Sequence, residues 1–209
     1  MKKIGFVGYD STDIVLYLAR LRSQDGGKVA VVDMTEEREF ISMLRLTTET
    51  PEKDTYKNIH IVIKEHVSDV MDADYVFFYY GRRVNGSKKN ELTDFVMVTD
   101  MIPTNARSLR DIEVPDKVTN EILLIRNIIS AKFTTKVLVK LSEHSVAEEY
   151  VCLLPYDESD YRARCYMCID TRASLNKLSD GMQDALYRLY ELLFEPVGRK
   201  KYKEMMRKA

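Results

Sequence analysis

The chain has 209 residues, the length of one domain or two small ones, and its 45% hydrophobic and 31% charged residues are globular rather than disordered in composition. Its 32 Lys and Arg balance 33 Asp and Glu, which excludes a general basic coat for nucleic acid, so no nucleic-acid partner is expected. No apolar run reaches the ~18 residues of a membrane span, and three cysteines are too few and odd in number for a disulfide framework. The start, Met1 to Phe6, is basic and then apolar, but Tyr9, Asp10 and Asp13 interrupt it before a signal-peptide core can form. A cytoplasmic protein is the expectation.

Lys2 to Gly8 (KKIGFVG) reads as a buried strand. A polar stretch, Tyr9 to Asp13, leads into a helix with Ile14, Leu18 and Leu21 at helical spacing. Ser11, Thr12 or Asp13 would cap it, and Gly26-Gly27 suits its end. Lys28 to Asp33 (KVAVVD) is a second strand, which completes a unit of βαβ size. Glu36 to Leu46 reads as helix, Thr47 to Lys57 with Pro51 as a loop, Ile59 to Ile63 as a strand and Val67 to Met71 as a short helix. Asp74 to Gly81 (DYVFFYYG) is a strongly apolar strand. Arg82 to Asn90 is a charged loop with Asn85-Gly86 as its turn.

Asp94 to Met101 is another strand, Thr104 to Ile112 a short helix, and Glu121 to Ile129 a strand. Lys136 to Leu141 reads as a weaker strand, and Tyr150 to Leu154 as the last. Asp157, Glu158 and Asp160 suit the start of a helix, where carboxylates favour the dipole. Leu175 to Leu193 predicts one long amphipathic helix with Leu178, Met182, Leu186 and Leu189 on its stripe. Strands alternating with helical segments predict an α/β fold: a mostly parallel, doubly wound sheet of about seven strands with helices on both faces, spanning 1–195 as one domain. Residues 196–209 form a basic tail in which Arg199, Lys200, Lys201, Lys203, Arg207 and Lys208 face only Glu204. Its apolar side, Tyr202, Met205 and Met206, is thin, so a solvated or frayed terminus is expected, with a weak contact to anionic membrane through Arg199, Lys200, Lys201 and Lys203 as the competing reading.

Ligands of such sheets bind beyond the carboxyl ends of the strands, so the loop Gly8-Tyr9-Asp10-Ser11-Thr12-Asp13 is the first candidate site. A phosphate loop needs glycines for close backbone approach and usually a lysine. This loop has one glycine, no lysine and two carboxylates. An aspartate ~4 Å from a phosphate would repel it by several kcal/mol at an effective dielectric of ~20. The dinucleotide pattern G-x-G-x-x-G is absent, although Asp33 stands where a ribose hydroxyl would be bound. Asp10 and Asp13 are read as capping residues rather than a metal site, and no metal site is assigned. Cys165-x-x-Cys168 has zinc or redox spacing but no second pair to complete four ligands.

The order of segments resembles the MinD/ParA superfamily of deviant P-loop ATPases, particularly its pilus-localisation relatives TadZ and CpaE. The family's first strand is followed by K-G-G-x-G-K-[ST]-[ST] and a helix with N-L-A, for which this chain has Tyr17-Leu18-Ala19. That register puts Ser11 at the phosphate lysine, Asp10 at the preceding glycine, Phe6 at the signature lysine, and Thr12 and Asp13 at the hydroxyl positions. Asp33 matches the aspartate after the second strand, while Thr35 replaces its companion. Asp74 to Gly81 fits the third motif with Tyr79 in place of its metal-binding aspartate. DFVMVTDMIPTNARSLRD fits the next strand and helix, Asn127 matches an asparagine ending a strand, and Val151 to Asp157 resembles the segment near the base.

The resemblance implies the P-loop NTPase-like fold and Asp33 and Asn127 as remnant ligand positions. It also implies pairing of two copies across the nucleotide loop. With both lysines and the third-strand aspartate replaced, the residues favour a protein that is not an enzyme and holds no cofactor. ATP would enter only if the loop is misread. The function expected is a non-catalytic scaffold or localisation protein in a bacterial pilus or secretion system, a homodimer with protein partners, cytoplasmic or at the inner membrane face. The alternative is a nucleotide-binding switch or a Rossmann-like oxidoreductase with an atypical loop.

Overall fold

A computed structural model describes residues 1–44, 55–70, 72–83, 91–129, 135–169 and 174–209. The expected loops over most of Thr47–Lys57 and Arg82–Asn90, with the Asn85-Gly86 turn, lie outside the described residues. Eight strands form one sheet: β1 (Lys2–Gly8), β2 (Val29–Asp33), β3 (Thr55–Tyr56), β4 (Ile59–Ile63), β5 (Tyr75–Tyr79), β6 (Asp94–Thr99), β7 (Asn120–Ile128) and β8 (Val151–Pro155). Their order is β3-β4-β2-β5-β1-β6-β7-β8. Every pairing is parallel except the two-residue β3, which runs antiparallel to β4. The fold is therefore the mostly parallel α/β sheet that the alternating segments predict. The continuous apolar runs of β1, β2, β5 and β6 follow from burial on both faces.

On one face lie α1 (Thr12–Gln24), α6 (Asp180–Leu193) and α7 (Arg199–Lys208), which bury Ile14, Leu18, Leu186, Leu189, Tyr202 and Met205 against Phe6, Phe77 and Val96. On the other lie α3 (Pro103–Ser108) and α4 (Thr135–Ser142), which bury Ala106 and Leu138 against Val7, Met97, Leu123 and Ile125. Two further helices, α2 (Glu39–Leu44) and α5 (Glu158–Ile169), flank the carboxyl ends of the strands. α1 is the central helix. Every residue from Thr12 to Leu21 is buried, so its amino end is fixed in the middle of the sheet beside β1.

Three expectations change. Lys136–Leu141 is not a strand but most of α4. Its alternating valines and leucines mimic period 2, yet parallel β7 and β8 need a crossover, and Leu138 and Ser142, four apart, are the buried residues of the helix. The long helix from Leu175 is broken. Leu175–Lys177 is a single 3₁₀ turn, and α6 starts afresh because the Ser179 hydroxyl oxygen accepts from the Met182 N–H at 3.0 Å. The tail is not frayed. Tyr202, Met205 and Met206, at spacings of three and four, are buried in the main core. The Tyr202 ring packs edge-on to Tyr187 at 4.8 Å, Lys201 pairs with Asp25, and Arg199 sits over Tyr187 and pairs with Asp184. The apolar side of α7 is thus used inward, and two of the four cations assigned to a membrane contact already have carboxylate partners. No described helix is long and apolar enough to cross a membrane.

Candidate functional site

Gly8 ends β1 with φ +113°, and its N–H donates to the Gly81 carbonyl at 2.8 Å. A Cβ there would lie 2.2 Å from the Val98 carbonyl oxygen, so only glycine lets β1 turn between β5 and β6. Tyr9 N–H then donates to Val98 O at 2.7 Å. The chain passes through Asp10 and Ser11 into α1, whose first N–H groups point at the place where a phosphate would sit.

Side chains of the protein itself pair at this end of α1. Asp13, 2% exposed in the first turn of α1, accepts from the Ile14 N–H at 2.9 Å. Both its oxygens also accept from Arg126 near the end of β7, Oδ1 from Nη1 and Oδ2 from Nη2, each at 2.8 Å. Arg126, 5% exposed, also donates to the Asp10 carbonyl. Arg164 of α5 donates to the Asp10 carboxylate and, at 3.2 Å, to the Thr12 hydroxyl oxygen. Asp10 Oδ1 accepts from the Thr12 N–H at 3.3 Å and from its hydroxyl at 3.0 Å. Two acids therefore face two arginines across the amino end of α1, with three elements (the β1–α1 turn, β7 and α5) contributing.

Burial pushes the Asp13 carboxyl up, but the charge and hydrogen bonds of Arg126, the charge of Arg164 and the Ile14 N–H outweigh it and hold it below the ordinary 3.8. Burial likewise pulls Arg126 down, and Asp13 more than restores it. The pair is ionised at any ordinary pH.

The second half of the site lies across β5. Asp33 and Tyr79 are register partners on β2 and β5. Asp33 Oδ1 accepts from the Thr35 N–H at 3.0 Å and its hydroxyl at 2.6 Å, and Oδ2 accepts from the Phe40 N–H at 2.7 Å. Both oxygens hold the turn into α2. The Tyr79 hydroxyl donates to Glu39 Oε2 at 2.7 Å. Burial raises Asp33, Glu39 and Tyr79 alike. Among the described residues no cluster of His, Cys, Asp or Glu could hold a metal ion.

Asn127, left-handed at φ +59°, lines a cavity of about 110 Å³ with Tyr9, Arg126, Tyr156, Asp157 and Tyr161. The structure thus brings Gly8 to Asp13 and Asn127 to one end of the sheet, with Asp33 two strands from β1. Cys165 is exposed on α5, and the side chain of Cys168 lies outside the described residues. Sequence reasoning missed Arg126, Arg164 and Glu39. A lone arginine inside the apolar run of β7 was the available signal, because such a residue is almost never buried without a partner; nothing in the sequence marked Arg164.

The two arginines that reach Asp10 and Asp13 are matched by those carboxylates, and Arg82 lies over the Tyr9 ring on the other side of the loop. The cavity beside Asn127 holds about 110 Å³, and a second one at the same end of the sheet, lined by Thr35, Glu39, Gly81 and Arg82, about 230 Å³.

No family model matches the chain, and no curated protein matches it in sequence. Solved structures do resemble it. A ParA family ATPase from Chlorobium tepidum TLS superposes with a TM-score of 0.64 at 13% identity over 90% of this chain and 97% of that one. A chain of the MinC:MinD cell division protein complex from Aquifex aeolicus gives 0.61 at 12% identity over 95% and 99%. The MinD cell division protein from the same organism gives 0.57 at 11% identity over 95% and 100%. At such identities the likeness establishes the P-loop NTPase-like fold of the MinD/ParA ATPases.

Proposed function

We propose that this chain is a non-catalytic protein of MinD/ParA fold that works through protein contacts, as a scaffold or localisation factor in a bacterial pilus or secretion system. The observation that carries the non-catalytic reading is the Asp13–Arg126 ion pair, which occupies the amino end of α1 where the fold's nucleotide phosphates would bind. A nucleotide-driven switch would have to break that pair first. The resemblance of the segment order to TadZ and CpaE supports the setting.

The surface supports contact as the mode of action. Ile102, Ile129 and Tyr156 follow the ends of the neighbouring strands β6, β7 and β8, and Tyr161 lies one turn into α5. They are 53%, 76%, 51% and 62% exposed. These side chains stand exposed at the carboxyl end of the sheet. Exposed clusters of tyrosine and large aliphatics mark protein interfaces.

A homodimer through this face, formed without nucleotide, is the expected assembly. Light scattering at tens of micromolar should give twice the 24.3 kDa of one chain, unchanged by millimolar ATP, and Ile129→Glu with Tyr161→Glu should return the single-chain mass. A single-chain mass for the unaltered protein, or a dimer that needs ATP, would contradict the reading.

A further inference from the structure

Over its first nine residues the helix α5 is attached to the domain largely through polar side chains. Of its side chains from Glu158 to Tyr166 only Asp160 is buried, and only Ala163 and Arg164 are half-buried; Glu158, Ser159, Tyr161, Arg162, Cys165 and Tyr166 are exposed. Helices of this fold normally dock through a stripe of large apolar residues. Over Glu158 to Tyr166 the inward side at spacings of three and four is an acid, an alanine and an arginine. Asp160 accepts from the Ser179 N–H at 2.7 Å and its hydroxyl at 2.6 Å, which ties the start of α5 to the start of α6. One turn later Arg164 reaches Asp10 and Thr12.

The two arginine pairs at the α1 amino end differ in access. The side chains of Asp13 and Arg126 are 3% and 7% exposed, whereas those of Asp10 and Arg164 are 35% and 26% exposed. The inner pair belongs to the core, and water and salt reach the outer one.

We propose that α5 is a strap across the amino end of α1, hinged at the Asp160–Ser179 contact and latched by Arg164 on Asp10 and Thr12, so that the outer pair sets whether the strap is closed. This rests on the reading that the loop is filled from within, because Asp10 is the latch's fixed side. The strap's outer surface carries Tyr161 and Tyr166, 62% and 58% exposed. Opening it would move part of the apolar contact face while the Asp13–Arg126 hydrogen bonds, made by the first turn of α1 and β7, stay in place. The latch is thereby a regulator of the contact face.

Hydrogen exchange tests this on the intact chain. In Asp10→Asn and in Arg164→Gln, amides of residues 161–166 should exchange about three- to fivefold faster, the range expected for loss of a half-exposed charged pair. Amides of β1, β6 and α6 should be unchanged. Asp10→Glu, which keeps the carboxylate, should restore slow exchange. Raising sodium chloride from low to molar concentration should speed α5 exchange more in the unaltered protein than in Asp10→Asn, which keeps only the exposed Arg162–Glu158 pair of this helix for salt to screen. Unchanged α5 exchange in both variants, or an equal rise across β1 and β6, would overturn the strap while leaving the filled loop standing. Nucleotide binding by the unaltered protein would overturn the filled loop while leaving the exchange result standing.

Discussion

Arg126→Ala is expected to cost the protein about 3–5 kcal/mol of stability, the usual range for removing one partner of a buried ion pair. The substitution leaves Asp13, 2% exposed, with one backbone donor and no cation within its bidentate reach. It also strips the Asp10 carbonyl of its donor. Such a loss is a large part of the 5–15 kcal/mol that holds a domain together, and urea unfolding will read it directly.

The pH dependence of the same variant has a definite sign. In the unaltered protein the folded Asp13 carboxyl lies below its ordinary 3.8, so its stabilisation is complete above that value and is lost as pH falls through the lower, folded one. In Arg126→Ala, burial acts on Asp13 with its main opposing charge gone, the folded value rises, and stability should improve as the pH is lowered towards it. Replacing both partners by apolar residues of similar volume, Asp13→Leu with Arg126→Met, should recover most of the loss, since the pair's desolvation is removed along with its attraction. A loss below about 1 kcal/mol for Arg126→Ala, the value of an exposed pair, would mean that the pair is not the closed core contact described above.

Met205→Ala is expected to cost about 2–5 kcal/mol, as for other buried methionine truncations. Met205 is 4% exposed and lies in the same core cluster as Leu189 and Leu193. Lys203, on the exposed side of the same helix, provides the control: Lys203→Ala should stay within about 0.5 kcal/mol. Equal, negligible effects at both positions would mean that α7 is a solvated tail after all.

The sheet was legible in the sequence because its strands are continuous apolar runs, and β1, β2, β5 and β6 need no more than that to declare burial on both faces. The Gly8-to-Asp13 loop was legible as a site by position, since topology alone places it at the carboxyl end of β1. Three things were hidden for physical reasons. Lys136–Leu141 alternates like a strand, and only the demand for a crossover between parallel strands makes it helical. Tyr202, Met205 and Met206 form a narrow stripe among six basic residues, so their composition speaks for solvent; their burial comes from elements distant in sequence, with Tyr187 on Tyr202 and with α1 and the Leu175–Lys177 turn packed against α7. The Asp13–Arg126 pair joins residues 113 positions apart, a separation that no local pattern encodes. The sequence thus showed a loop without lysine, and the structure pairs its Asp13 with Arg126 of β7.

The most direct test of that replacement is the thermal melt of the purified protein in millimolar ATP with magnesium. A protein whose α1 amino end is closed by Asp13 and Arg126 should melt at the same temperature with and without the nucleotide. A ligand present at 100 times its dissociation constant adds about 2.7 kcal/mol to folding, which at this chain length is a shift of roughly 5–10 °C. A rise of that size would contradict the account, because it would require the ion pair to give way to phosphate.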